Sequence, residues 1–346
     1  MQTQRIAVIG AGLGGLVLAR ILQIHDIPVT LYESDTSADA RKQGGSLDMH
    51  EDSGQFALRT AGVYEEFRRL THPQGEAIRV LDKHGTVFID HAPREGEGGR
   101  PEIDRTDLRN LLIASLNPGT IVWGHKLTAA RPLADGRHEL TFGTGFNATV
   151  DLLVGADGSW SKVRPLLSDI KPEYCGISYL ELHLWDVKKY HPDSAALVGP
   201  GVFFALSDNK ALMAHGGKHI HLGVSLRVPQ DWTTECGVDW SDTAAARAIL
   251  LSEFSDWSVD LKNLIRNCDD GIIPRRIYAL PADHSWVHSK GVTLLGDAAH
   301  VMSPYAGEGA NLAMLDATEL ALAIATHRGW SAGGPWTAAG RLHRRR

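Results

Sequence analysis

The chain has 346 residues, enough for two domains or for one domain with a large insertion. Its 35 basic and 41 acidic side chains leave a formal charge of −6 with no basic block of the kind that binds nucleic acid, so a small-molecule partner is expected. Cys175, Cys236 and Cys268 are widely spaced, which indicates neither a disulfide framework nor a zinc site, and no metal is expected.

The first strand begins within a few residues of the start, no export signal precedes it, and no apolar run reaches the roughly 18 residues of a membrane helix. A cytoplasmic protein that does not span a membrane is expected. Residues 5–9 form a short apolar run ending in Gly10-x-Gly12-x-x-Gly15. Leu16, Leu18, Ala19, Leu22 and Ile24 then recur at helical spacing, and a second apolar run ends in Glu33. This pattern predicts a βαβ unit that binds a dinucleotide. Gly10 allows the tight turn, Gly12 lets bare backbone approach a pyrophosphate, and Gly15 lets the helix pack closely on the strand; Gly14 is counted with them. Glu33, 21 residues after Gly12, stands where an acid accepts hydrogen bonds from an adenosine ribose. The glycines alone do not separate FAD from NAD(P).

Arg41 precedes and Asp48 follows the pair Gly44-Gly45, a loop that fits a phosphate or ribose lining and a solvated turn equally well. Apolar spacing predicts helix over 53–70 with a break near Gly62, and residues 78–90 read as a hairpin turning at 82–85. Residues 102–109 open a helix that runs through Leu116, with Thr106 as its N-cap and Arg105 and Arg109 along one face, which a solvated basic face of a surface helix would show as well. Strand-like runs follow at 120–123, 138–142 and 149–154. The last delivers Asp157-Gly158 to the carboxyl edge of a doubly wound sheet, where ligands bind.

Between residues 165 and 283 the alternation at 177–185, 201–206, 211–214 and 219–227 predicts an antiparallel sheet, covered by helices at 243–254 and 259–265. This reads as a second domain whose sheet faces the dinucleotide. Glu181 and His183 alternate with leucines, which suits a cavity-facing strand and a solvated sheet face alike. The βα pattern then returns. Residues 291–295 present Asp297, Pro304 fixes the approach, and Gly307-x-Gly309 opens a helix over 312–325 whose amides point toward the same crevice.

Taken in order, Gly10-x-Gly12-x-x-Gly15, Asp157-Gly158 and Gly296-Asp297-Ala298-Ala299-His300 with Pro304 and Gly307-x-Gly309 resemble the single-component FAD-dependent aromatic hydroxylases. These are the class A flavoprotein monooxygenases typified by para-hydroxybenzoate hydroxylase. Within the class, residues 41–50, 102–109, 161–164 and 296–311 are similar to the TetX-like tetracycline-inactivating enzymes. The resemblance implies an α/β fold: a Rossmann-like FAD-binding domain of the glutathione-reductase type, plus an antiparallel-sheet substrate domain. The expected division is 1–75 with 100–170 and 285–330 for FAD, and 76–99 with 171–284 for substrate. Residues 331–346 are expected to be an atypical basic tail, truncated or disordered, without the family's C-terminal bridging helix.

The resemblance also implies roles. Glu33 and Asp48 would serve FAD, Arg105 and Arg109 its phosphate and ribityl region, and Asp297 the ribityl and pyrophosphate portion. Pro304, Gly307, Gly309, Ala310 and Asn311 would lie beside the isoalloxazine. Arg41 matches a position linked to NADPH, and Asp157-Gly158 a motif serving both cofactors. His221 matches a substrate-contacting histidine; Glu181 stands in place of a glutamine and Tyr305 in place of a phenylalanine. Ala211, next to Lys210, aligns with a substrate arginine. The implied activity is an NADPH- and O₂-consuming monooxygenase that works through a flavin C4a-hydroperoxide, needs no catalytic side chain, and acts as a monomer. Its substrate would be a polycyclic or phenolic compound such as a tetracycline-type antibiotic. The alternative is an impaired or non-catalytic flavin protein that sequesters a small molecule.

Overall fold

A computed structural model describes residues 4–40, 44–72, 75–92, 99–269 and 271–327. The first elements are β1 (Ile6–Ile9), α1 (Leu13–Ile24), β2 (Val29–Tyr32) and β3 (Ser46–Asp48), then a π-helical turn at Glu51–Gln55, α2 (Phe56–Thr60) and α3 (Tyr64–Leu70). The hairpin β4 (Ile78–Leu81) and β5 (Val87–His91) follows, with β6 (Glu102–Asp104), α4 (Arg105–Ala114), β7 (Ile121–Val122), β8 (Leu127–Pro132), β9 (His138–Phe142), β10 (Asn147–Val150) and β11 (Leu152–Gly155). The long strand β12 (Glu173–Leu184) leads to α5 (Val187–Tyr190), α6 (Pro192–Val198), β13 (Val202–Ser207), β14 (Lys210–His215) and β15 (Ile220–Arg227). Last come α7 (Trp232–Glu235), α8 (Thr243–Glu253), α9 (Val259–Arg266), β16 (Ile273–Ala279), β17 (Val292–Leu294), α10 (Asp297–His300) and α11 (Gly309–Thr326). Contacts divide the chain into two compact units: Met1–Thr71 with Ile103–Glu173 and Tyr278–Arg346, and His72–Glu102 with Tyr174–Ile277.

The first unit is built on a five-stranded sheet of order β17-β11-β1-β2-β7, in which every pair is parallel. Val8, Leu31 and Val154 point to a core shared with α1, α4 and α11; Ala7, Ile9, Leu153 and Leu294 point to a second core, closed by the antiparallel sheet β10-β9-β8. Burial on both faces explains why these strands read as unbroken apolar runs. The second unit is built on a seven-stranded sheet of order β16-β12-β15-β14-β13-β4-β5, antiparallel from β12 to β13 and between β4 and β5, and parallel between β13 and β4. Alternate residues Leu180, Leu182, Leu184, Leu222, Val224 and Phe203 pack with Leu250, Leu261, Leu264 and Ile265 of α8 and α9. The intervening residues Glu181, His183 and His221 lie on the other face.

Several expectations are corrected. Asp104, not Thr106, caps α4: its carboxylate accepts from Thr106 N at 2.7 Å, because residues 102–104 are spent as a strand pairing with β3. The run 149–154 is two strands. Asp151 accepts from Arg5 N at 2.7 Å where the chain passes from the antiparallel β10 into the parallel β11. Strands β8 and β16, which sequence reading did not find, are each the last strand of their sheet; β8 is largely exposed and β16 largely half-buried. The break near Gly62 is present, with a left-handed φ of +67° between α2 and α3. The tail at 331–346 lies outside the described residues.

Candidate functional site

Because β1, β11 and β17 are neighbours in a parallel sheet, the turns that follow them share its carboxyl edge. A side chain at Gly10 would place its Cβ 2.3 Å from Ala156 O, and one at Gly15 would place it 2.1 Å from Gly10 O. Gly14 is packed against α11, where an added Cβ would meet Ala313 O at 2.8 Å. Those three glycines are explained by the protein itself. Gly12 is not, since nothing lies within 4 Å of a Cβ built there. It caps α1 without a side-chain hydrogen bond and no acid follows in the first turn, so this helix start has the polarity to take an anion on the side where Gly12 is open. The start of α11 repeats the pattern: no side chain caps it, and a Cβ at Gly309 would also meet nothing within 4 Å.

Glu33 is buried at the end of β2, and its carboxylate accepts from Ala11 N at 2.7 Å and from Ser34 Oγ and Asp35 N at 2.9 Å each. Three of its four lone-pair positions are thus used on the turn, and one remains for a ligand hydroxyl. Burial raises its pKa, but the Asp35 and Ala11 amides, the Ser34 hydroxyl and the Arg109 charge outweigh that and hold it below the usual carboxylate value. The stabilisation is therefore complete above the ordinary glutamate pKa of 4.5 and lost as the pH falls through the lower folded-state value. The Tm of the wild type should exceed that of Glu33→Gln at neutral pH, and the two should converge in acid. Parallel curves down to the lowest pH would contradict this.

Arg109 is buried and directed at backbone, with Nε donating to Ala11 O at 3.2 Å and Nη1 to Ala38 O at 2.8 Å. It braces the glycine turn. Arg105 starts α4, its amide donating to Gly45 O at 3.1 Å. Arg41 lies outside the described residues.

Asp157 and Asp297 are joined through Arg164, which the sequence motifs included without a role. Arg164 is buried; its Nε donates to Ala298 O at 2.8 Å and its Nη2 to Ser159 O at 2.7 Å and Asp297 O at 3.2 Å. Ser159 Oγ donates to Asp297 Oδ2 at 3.3 Å. Asp157 Oδ2 accepts from Lys162 N at 2.6 Å, while its Oδ1 is buried with no hydrogen-bond partner, and burial pushes its pKa up. Gly158 has a left-handed φ of +79°, with open space where a Cβ would stand.

Two more groups escaped sequence reading. Asp316, deep in α11, accepts from Gly296 N at 2.9 Å and pairs with His300, tying the helix to the turn after β17. His50 stands between Asp48 Oδ2 (2.9 Å) and Glu308 Oε1 (3.3 Å). Asn311, fully buried, donates to Asp48 O at 2.9 Å and accepts from His50 N at 3.0 Å. Asp48, Asn311 and the start of α11 are thereby one hydrogen-bonded assembly. Gly307, at φ +69°, ends the short 3₁₀ turn Pro304–Ala306, where Tyr305 is exposed; Ala310 follows in the first turn of α11. The only clue to Asp316 was an acid inside an otherwise apolar helical stretch.

On the second unit, Glu181 Oε1 lies 3.1 Å from His221 Nε2, and Glu181 Oε2 accepts from Arg275 Nε at 2.6 Å. The His221 hydrogen bond and the Arg275 guanidinium hold the Glu181 pKa down, to about 2. Lys210 is engaged elsewhere, pairing with Glu253.

These features fit a dinucleotide: two uncapped helix starts over open space, a buried carboxylate oxygen lacking a partner in Asp157, and a spare acceptor position on Glu33. The family described as "FAD binding domain" matches residues 3–206 and 284–334. Monooxygenase asqM of Emericella nidulans is 32% identical, over 92% of this chain and 83% of its own length. Klebsiella pneumoniae HpxO, solved with FAD and uric acid, shares the fold at a TM-score of 0.78 and 22% identity, over 98% of this chain and 83% of that one. Tetracycline destructase Tet(51) shares it at 0.69 and 20%, over 98% and 85%. Among the described residues, no helix is long and apolar enough to cross a membrane. The chain therefore belongs to the FAD-binding-domain family, and within it to the FAD-dependent monooxygenases of the class A hydroxylase type.

Proposed function

We propose that the protein is an NADPH-consuming hydroxylase of a phenolic or polycyclic small molecule. The observation that carries this reading is the open space facing Gly12 and Gly309 at the uncapped starts of α1 and α11. In this reading the amides after Gly12 would hold the FAD pyrophosphate, with Glu33 at the adenosine ribose. Asp48, Arg105, Asp157 and Asp297 would serve the rest of the dinucleotide, and Arg109 would brace the turn. Bound FAD would supply the redox chemistry, taking up a hydride from NADPH and delivering one oxygen atom of O₂ to an electron-rich carbon while the other leaves as water.

The chain's own work is orientation and charge. Amides at Gly309, Ala310 and Asn311, at the positive end of α11, would stabilise negative charge developing on the reduced flavin. His50 and Asn311 keep that helix start in register with Asp48. Arg41 would serve NADPH. Glu181, ionised, and His221 supply an acceptor and a ring nitrogen on one sheet face, a pair suited to a phenol or enol hydroxyl.

The test is substrate-stimulated NADPH oxidation by the FAD-loaded protein across simple phenols and tetracyclines, with products weighed by mass spectrometry. At least one compound should speed NADPH oxidation and gain one oxygen atom. NADPH oxidation that yields only hydrogen peroxide with every compound, or none at all, would favour a sequestering protein.

A further inference from the structure

On β12, Glu181 and His183 are two residues apart and so share a face of the sheet. The antiparallel register sets His221 of β15 directly opposite His183, and Gly223 opposite Glu181. Glu181 reaches diagonally to His221, with Oε1 3.1 Å from Nε2. The result is a carboxylate and two imidazoles offering one ligand atom each, all within 4.8 Å of one another. Among the described residues no other group of this kind occurs.

We infer that Glu181, His183 and His221 form a binding site for one borderline divalent cation, with Zn²⁺ as the natural probe. Two histidines and one carboxylate are a donor set that such an ion takes in tetrahedral geometry, with the fourth position left open. Bonds of about 2.0–2.1 Å put neighbouring donors roughly 3.4 Å apart. The His221 Nε2 to Glu181 Oε1 separation of 3.1 Å is already close to that, and the two imidazole centroids are 5.0 Å apart. His183, whose ring stacks on Trp185 at 5.1 Å, is the donor that must move in for the three to meet one ion.

Arg275 defines how Glu181 would bind. Its Nε holds Oε2 from outside, as an outer-shell partner does, which leaves Oε1 as the single coordinating oxygen. Its positive charge opposes the cation, and its side chain is more than half exposed and able to swing away. The site is thus a weak one that strengthens when Arg275 is removed. The open position would accept water or an anionic oxygen such as a phenolate or enolate; that extension alone rests on the hydroxylase reading.

The experiment is equilibrium dialysis of the FAD-loaded protein against Zn²⁺, with the flavin spectrum and Tm recorded for each variant. One saturable ion per chain is expected. His183→Ala and His221→Ala should each weaken it by at least the roughly 10–100-fold cost of losing an outer-shell partner, and Arg275→Ala should tighten it. Zinc-edge X-ray absorption on the wild type, which needs no variant to fold, should show two imidazole nitrogens at about 2.0–2.1 Å. No saturable binding, binding that survives both histidine substitutions, or an absorption spectrum without two imidazoles would overturn the proposal. Zinc binding is read without turnover, so it can fail while NADPH-dependent hydroxylation stands, and the reverse.

Discussion

Gly12→Val is expected to fold and melt much like the wild type, yet to bind FAD on the order of 100-fold more weakly, about 2.7 kcal/mol. The backbone at Gly12 is extended, with φ −77° and ψ 178°, a conformation open to any residue, and no atom lies within 4 Å of the new Cβ. The added methyls would fill the space in front of α1 and hold a phosphate away from its amides. Hydrogen bonds to a charged group are worth about 1.5–3 kcal/mol each, so losing one or two accounts for the effect. Gly15→Ala is the control with the opposite signature. Its Cβ would collide with Gly10 O, so overpacking of at least about 1–3 kcal/mol should appear as lost stability before any ligand is added. A Gly12→Val protein with undiminished FAD affinity would show that no phosphate rests at this helix start.

Arg164→Met is expected to destabilise the protein by about 3 kcal/mol or more and to weaken FAD binding with it. Methionine approximates the length of arginine, so little cavity forms and the loss is electrostatic. Ala298 O, Ser159 O and Asp297 O would each lose a charged donor, and Asp157 and Asp297 a neighbouring cation. Arg164→Lys should recover only part of this, since one ammonium cannot reproduce a planar fork that reaches three carbonyls. Thermal melts with and without FAD would report both effects. An unchanged Tm in Arg164→Met would mean that the turns after β11 and β17 are held together by packing alone.

The βαβ start was legible because its glycines stand at fixed intervals between two apolar runs, although the atoms that Gly10 and Gly14 make room for, in Ala156 and Ala313, are seen only in the fold. So were the long strands of the second unit, where leucines alternate over a single-sided core. What escaped depends on partners distant in sequence. Nothing near Arg164 announces Ala298, and His50 meets Glu308 only once α11 is docked beside β3. The Glu181 and His183 alternation was visible, but its union with His221 requires knowing the register of β12 against β15. Thr106 is a good capping residue by type. Asp104 prevails because pairing with β3 fixes where the strand stops and the helix begins.

The most direct measurement is the stoichiometry of FAD on the purified chain, by visible absorbance after reconstitution and removal of unbound flavin. The geometry at Gly12, Asp157 and Asp297 predicts a yellow protein that retains one FAD per chain. A folded but colourless protein that refuses added FAD would contradict it.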